Sequence, residues 1–132
     1  MSFHVAAALR ISSKPEGNPL AIDAGRNADR ALLLLGVPGT AKTWVSEHLA
    51  AAISGDSTLL VQGTAGTAEE SLRYGWNYAK LLVEGPTRSA LVESPVMRGM
   101  RSGALVRIEE LTRIPSEVQD ALITVLSEKS LP

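Results

Sequence analysis

Cysteine is absent from the 132 residues. That excludes disulfides, thiolate nucleophiles and cysteine-based zinc sites. Charge of one sign is also missing: 13 basic residues stand against 14 acidic ones, for a net charge of −1. Such a balance gives no electrostatic reason to expect nucleic acid or an anionic membrane as a partner. No apolar run approaches the length of a membrane span; the cleanest is Ala31–Leu35. Met1–Arg10 carries no cluster of positive charge ahead of an apolar stretch, so no secretion signal is expected and a cytoplasmic location follows. The two histidines, His4 and His48, are far apart and flanked by apolar residues, which reads as packing rather than metal ligation. Internal repeats and low-complexity tracts are lacking too.

What is there is the composition of an ordinary globular domain, 45% apolar and 20% charged, on a length that suits one core. Residues 3–9 read as a short helix or the end of one. Residues 12–29 are rich in turn formers and read as an irregular connector. Ala31–Leu35, wholly apolar and bounded by Gly36, has the pattern of a strand buried on both faces of a parallel sheet. Residues 42–54 place Val45, Leu49, Ala52 and Ile53 on one helical stripe, with Gly55 as the stop. Thr58–Gln62 and Ala104–Ile108 read as further strands, residues 68–84 as a weak helix broken at Gly75, 85–94 as a hairpin or insertion, and Pro95–Arg101 as one or two helical turns. In residues 115–128 Val118, Leu122, Val125 and Leu126 mark a helix with proline in its first turn. This alternation predicts an α/β fold, a parallel sheet in a three-layer arrangement with helices, over 31–132, preceded by a connector over 1–30. Three strands make a thin sheet, so a longer parent protein is expected.

The segment Gly36-Val37-Pro38-Gly39-Thr40-Ala41-Lys42-Thr43 lies where the first of these strands gives way to the first helix. It matches the phosphate-loop pattern except that Ala41 replaces the second glycine. A strand ends, the backbone wraps into a nest of N–H donors, and a helix starts with its positive dipole end at the nest. Gly36, Pro38, Gly39, Thr40 and Ala41 would cradle the phosphates of ATP. Lys42 would reach the β- and γ-phosphates, and the Thr43 hydroxyl would bind Mg²⁺. Gly39 suits backbone angles that a larger residue resists, and Ala41 fits if its angles are helical.

Farther along, the strand Ala104-Leu105-Val106-Arg107-Ile108 runs into Glu109-Glu110. An apolar strand ending in two acids supplies one carboxylate to the metal (Glu109) and a second to polarise the attacking water (Glu110). Arg107 interrupts a strand that should be buried, and Glu109, two residues on and on the same face, is its expected partner.

Together the two motifs resemble the MoxR group of AAA+ ATPases. Leu-Gly-Val-Pro-Gly-Thr-Ala-Lys-Thr carries the likeness, as does Glu109-Glu110-Leu111-Thr112-Arg113-Ile114-Pro115 followed by Val118-Gln119-Asp120-Ala121-Leu122. Gly63-Thr64 and Met97–Gly103 also fit, and the likeness covers residues 31–132. Minichromosome-maintenance helicases share the Ala-Lys loop and stay as a related alternative. The resemblance implies ATP hydrolysis in a homo-oligomeric ring, usually a hexamer, that remodels protein partners or assists metal-cofactor insertion, often beside a von Willebrand factor A domain protein. It also implies that the sensors, the arginine finger and the helical lid lie after residue 132. The group usually has Asp where Glu109 stands, so Glu109→Asp is expected to be tolerated. Gly75, Trp76 and Tyr78 invite a pore-loop or adenine-stacking reading, but core packing is favoured. Two rival functions remain: a nucleotide-binding scaffold that barely hydrolyses, kept alive by Glu109 and Arg107, and a DNA-dependent motor, which predicts a basic stripe this segment lacks.

Overall fold

The computed structural model describes residues 4–10, 31–37 and 39–128. A four-stranded sheet contains β1 (His4–Arg10), β2 (Ala31–Gly36), β3 (Leu60–Gln62) and β6 (Leu105–Glu109), in the order β2-β1-β6-β3. β3 runs parallel to β6, while β1 is antiparallel to both β2 and β6. The three strands foreseen from the sequence therefore all point one way, as an α/β nucleotide-binding core requires, and β1 is threaded between two of them in the opposite sense.

That strand is the largest departure from expectation. Residues 3–9 read as helix because alanine dominates them, yet His4–Arg10 pairs along both edges, with Leu35 opposite Val5 and Val106 opposite Leu9. Two ladders satisfy the backbone donors and acceptors on both sides, and that outweighs a helix propensity worth only tenths of a kcal/mol per residue. The expected connector over 1–30 thus contains a sheet strand; its remainder, 11–30, lies outside the described residues. The shift also leaves β2 at the sheet edge. Leu32 and Leu33 are about half exposed there and Leu35 is 65% exposed, so β2 is not the doubly covered strand that its apolar run suggested.

α1 (Lys42–Ser54) follows the loop after β2 and packs over β1 against β6. Its buried positions are Ser46 and Ala50; of the predicted stripe Val45 and Leu49 are half-buried, while Ile53 is 51% exposed and Ala52 is exposed too. The helix turns a small, partly polar face to the sheet because the polar end of β6 lies beneath its first turn, and Ala50 meets Leu105 one turn further on. His48 lies on the outer face, where its ring stacks on Trp44 with centroids 4.0 Å apart.

After β3 the chain makes a 3-10 turn (Glu69–Ser71), then β4 (Tyr74–Trp76), α2 (Tyr78–Glu84) and β5 (Leu91–Glu93). β4 and β5 form a separate antiparallel ribbon. Of the weak helix expected over 68–84 only the last seven residues, α2, are α-helical, started where the Asn77 side chain accepts from Lys80 N–H. Trp76 is half-buried against Tyr74, edge to face, but Tyr78 is 71% exposed, so core packing does not describe it.

α3 (Pro95–Ser102) and α4 (Ser116–Glu128) close the core on the β3–β6 side. Ser94 caps α3, accepting from Met97 N–H while donating to the Leu72 carbonyl. Val96, Val106, Ile108, Leu72 and Val125 are essentially sealed from solvent. At about 1.5–3 kcal/mol for each large apolar side chain buried, they make the floor beneath the end of β6 rigid. Of the predicted α4 stripe, Leu122 and Val125 are in the core and Val118 packs on it, whereas Leu126 is 38% exposed.

Candidate functional site

The loop joining β2 to α1 turns on two residues with positive φ. Gly39, at φ 80°, has open space where a Cβ would stand and exploits glycine's freedom as expected. Ala41, at φ 57° and ψ 23°, does not have the helical angles foreseen for it: it is left-handed and forms the N-cap of α1. An L-residue there strains by roughly 1–2 kcal/mol, which is the physical reason the pattern favours glycine at this position. Pro38 lies outside the described residues.

Lys42 folds back over the loop. Its ammonium donates to the Val37 carbonyl at 2.7 Å and to Thr40 Oγ1 at 3.1 Å, while the Thr40 hydroxyl donates to the same carbonyl at 2.8 Å. Gly36 sits directly beneath: a Cβ on it would stand 2.9 Å from Thr40 Oγ1 and 3.7 Å from Lys42 Nζ. Glycine at 36 thus lets the lysine and the threonine lie over the strand end.

In the first turn of α1, Thr43 Oγ1 donates to Glu109 Oε2 at 2.9 Å. Ser46 Oγ donates to Oε1 of the same carboxylate at 3.2 Å and to the Thr43 carbonyl at 2.9 Å. Arg107 Nη2 also donates to Oε1, at 2.6 Å, and Nη1 reaches the Ser57 carbonyl at 3.0 Å. Arg107 and Glu109 are only 5% and 7% exposed. Burial pushes the Glu109 carboxyl up, but the hydrogen bonds from Arg107, Thr43 and Ser46 and the guanidinium charge outweigh it and hold the group below the usual carboxylate range. Glu109 is therefore an anion at neutral pH.

Glu110 does not continue the strand. β6 ends at Glu109, and Glu110 takes left-handed angles (φ 54°, ψ 41°) to cap the 3-10 turn Leu111–Arg113. A turn, rather than strand alternation, separates the two acids. Its counterpart across the sheet is Gly63, at the end of β3, whose N–H donates to the Glu109 carbonyl at 2.7 Å. A Cβ at 63 would lie 2.3 Å from the Glu110 carbonyl oxygen and 2.8 Å from that of Glu109. The β3 terminus and the acidic turn are in backbone contact that only glycine permits.

A strand, a glycine-turned loop, a helix start and an acid-tipped strand joined through Thr43 match a known pattern: the family profile described as "AAA domain (dynein-related subfamily)" covers residues 31–132. The chain belongs to this AAA domain family. Among curated proteins, the AAA domain is similar to the Escherichia coli (strain K12) protein "Uncharacterized protein YehL", with 55% identity over 100 residues, 76% of this chain and 28% of that protein. The chain thus spans little more than a quarter of the relative's length. No solved structure matches. Membership makes this an ATP-binding domain of the AAA+ ATPases. Among the described residues no helix is long and apolar enough to cross a membrane.

The oxygens that the AAA domain offers suit Mg²⁺. This hard cation keeps several waters and takes one or two protein oxygens beside the substrate's phosphates. No cluster of three acidic or histidine side chains exists among the described residues, and none is needed. Thr43 Oγ1 and Glu109 Oε2, brought to 2.9 Å from positions 66 residues apart, are the pair that fits. Two contributors escaped the sequence reading. Ser46 stands one helical turn after Thr43, and a serine on an otherwise apolar inner face was the available signal. The Ser57 carbonyl, in the α1–β3 connection, had none.

Proposed function

We propose that this AAA domain binds ATP with Mg²⁺ and hydrolyses it, as the nucleotide-binding part of a MoxR-like AAA+ ATPase. The observation that carries the reading is the joint held by Glu109, whose carboxylate receives Thr43 from the phosphate-loop helix and Arg107 from its own strand. Gly36, Gly39, Thr40 and Ala41 shape the cradle for the polyphosphate. Lys42 exchanges its contacts to Val37 and Thr40 for phosphate oxygens, which charge-assisted bonding favours. Thr43 and Glu109 would hold Mg²⁺, which when bound neutralises charge on the phosphates. Glu110, set beyond the strand by its left-handed turn, orients the attacking water and accepts its proton. In the whole protein we assign a homo-oligomeric ring, hexameric by resemblance, which remodels partner proteins or aids metal insertion with a von Willebrand factor A domain partner.

The second reading is a nucleotide-binding scaffold that hydrolyses little. The pairing of Glu109 with a buried guanidinium favours it, because that carboxylate's charge is already compensated. Single-turnover hydrolysis by the full chain and its Glu110→Gln variant, with sizing in ATP, separates the two. The hydrolase reading expects retained binding, a rate lower by about 10²–10⁴ and a longer-lived oligomer. Equal rates would remove Glu110 from the catalytic role, and no turnover by either protein would establish the scaffold.

A further inference from the structure

Arg107 occupies the middle of a strand whose other members before Glu109 are apolar, and all five of its residues are buried. Its guanidinium is held at both ends, by Glu109 Oε1 and by the Ser57 carbonyl, yet among the described residues its Nε has no hydrogen-bond partner. A buried guanidinium with an unmet donor is costly, and a branched apolar residue would fill this strand more cheaply. What the arginine provides is asymmetry in the carboxylate beside it. Oε1 receives Arg107 and Ser46, while Oε2 faces Thr43 and the phosphate loop.

We infer that Arg107 is a positioning residue: it pins one oxygen of Glu109 so that the other meets Thr43 and the metal–nucleotide complex. The inference rests on the magnesium–ATP reading of the site. It also makes residues 107 and 109 a matched pair. An aspartate at 109 is shorter by one carbon–carbon bond, about 1.5 Å, and cannot reach Arg107 Nη2 while still serving Thr43. The Glu109→Asp change, harmless by resemblance alone, therefore becomes damaging while Arg107 is present.

The test titrates a fluorescent ATP analogue onto the full chain, in EDTA and in Mg²⁺, with thermal melting of each protein. Wild type binds more tightly in Mg²⁺. Arg107→Met keeps the EDTA affinity and loses the magnesium gain by about 10- to 100-fold, the usual effect of removing a residue that orients a metal ligand. Arg107→Lys, which reaches Glu109 or the Ser57 carbonyl but cannot fork between them, keeps part of the gain and decides the matter if the methionine variant does not fold. Glu109→Asp loses the gain. A wild-type magnesium gain in Arg107→Met or Arg107→Lys overturns the inference, as does an equal loss in EDTA and Mg²⁺, which marks a purely structural arginine. A wild type indifferent to magnesium overturns the site reading itself.

Discussion

Thr43 and Glu109 are joined by a 2.9 Å hydrogen bond across 66 residues of chain. The bond ties the first turn of α1 to the last residue of β6 and so links the phosphate loop to the acidic strand end. Thr43→Val keeps the branched shape but removes both the hydroxyl and its bond to Oε2. The expected result is that ATP binding in EDTA stays near wild type while the gain from added Mg²⁺ disappears; Thr43→Ser should restore it. A valine variant with an undiminished magnesium gain would exclude Thr43 as a metal ligand.

Among the described residues, the hydrogen bonds of Lys42 to the loop are exposed ones, to Val37 and Thr40. The removal of Lys42 should therefore separate binding from stability. In Lys42→Ala the loss of a charge-assisted contact worth about 1.5–3 kcal/mol should weaken ATP binding tenfold or more. The free energy of unfolding should change by less than about 0.5 kcal/mol, as for exposed substitutions in general. Unchanged affinity in a nucleotide titration would contradict the phosphate-loop assignment.

Ala41→Gly should stabilise the protein. The left-handed angles at 41 cost alanine roughly 1–2 kcal/mol, and glycine returns about 0.4–1 kcal/mol of that to the unfolded chain's entropy. The net gain of about 0.5–1 kcal/mol should appear as a higher urea midpoint with an unchanged slope. A lower midpoint would mean that the residue is not left-handed in solution.

Gly63→Ala should damage stability and turnover together. The added methyl meets two backbone carbonyl oxygens of the Glu109–Glu110 turn, and backbone yields less readily than side chains. Overpacking of this kind costs about 1–3 kcal/mol, and the displaced turn carries both acids. Calorimetry with phosphate-release assays on the full chain would show both losses. A stable variant with wild-type turnover would indicate that the β3 end is not what holds the acidic turn.

The features legible in the sequence are those that local chemistry decides. Gly36–Thr43 reads as a loop between strand and helix because its glycines and its Lys-Thr step have few other uses in that order. The α4 stripe reads correctly at Val118, Leu122 and Val125 because a 3.6-residue period with an apolar face has one sensible packing. The Arg107–Glu109 pairing was foreseeable because residues two apart on a strand share a face. What only tertiary structure decided has a common cause: the partner lies far away in the chain. β1 became a strand because two edges were there to pair with it, and its insertion moved β2 to the sheet margin. The inward face of α1 was chosen by the polar end of β6, not by the helix's own apolar stripe. The left-handed angles at Ala41 and Glu110 follow from where the loop and the strand end must deliver the chain, and no local preference of alanine or glutamate announces them.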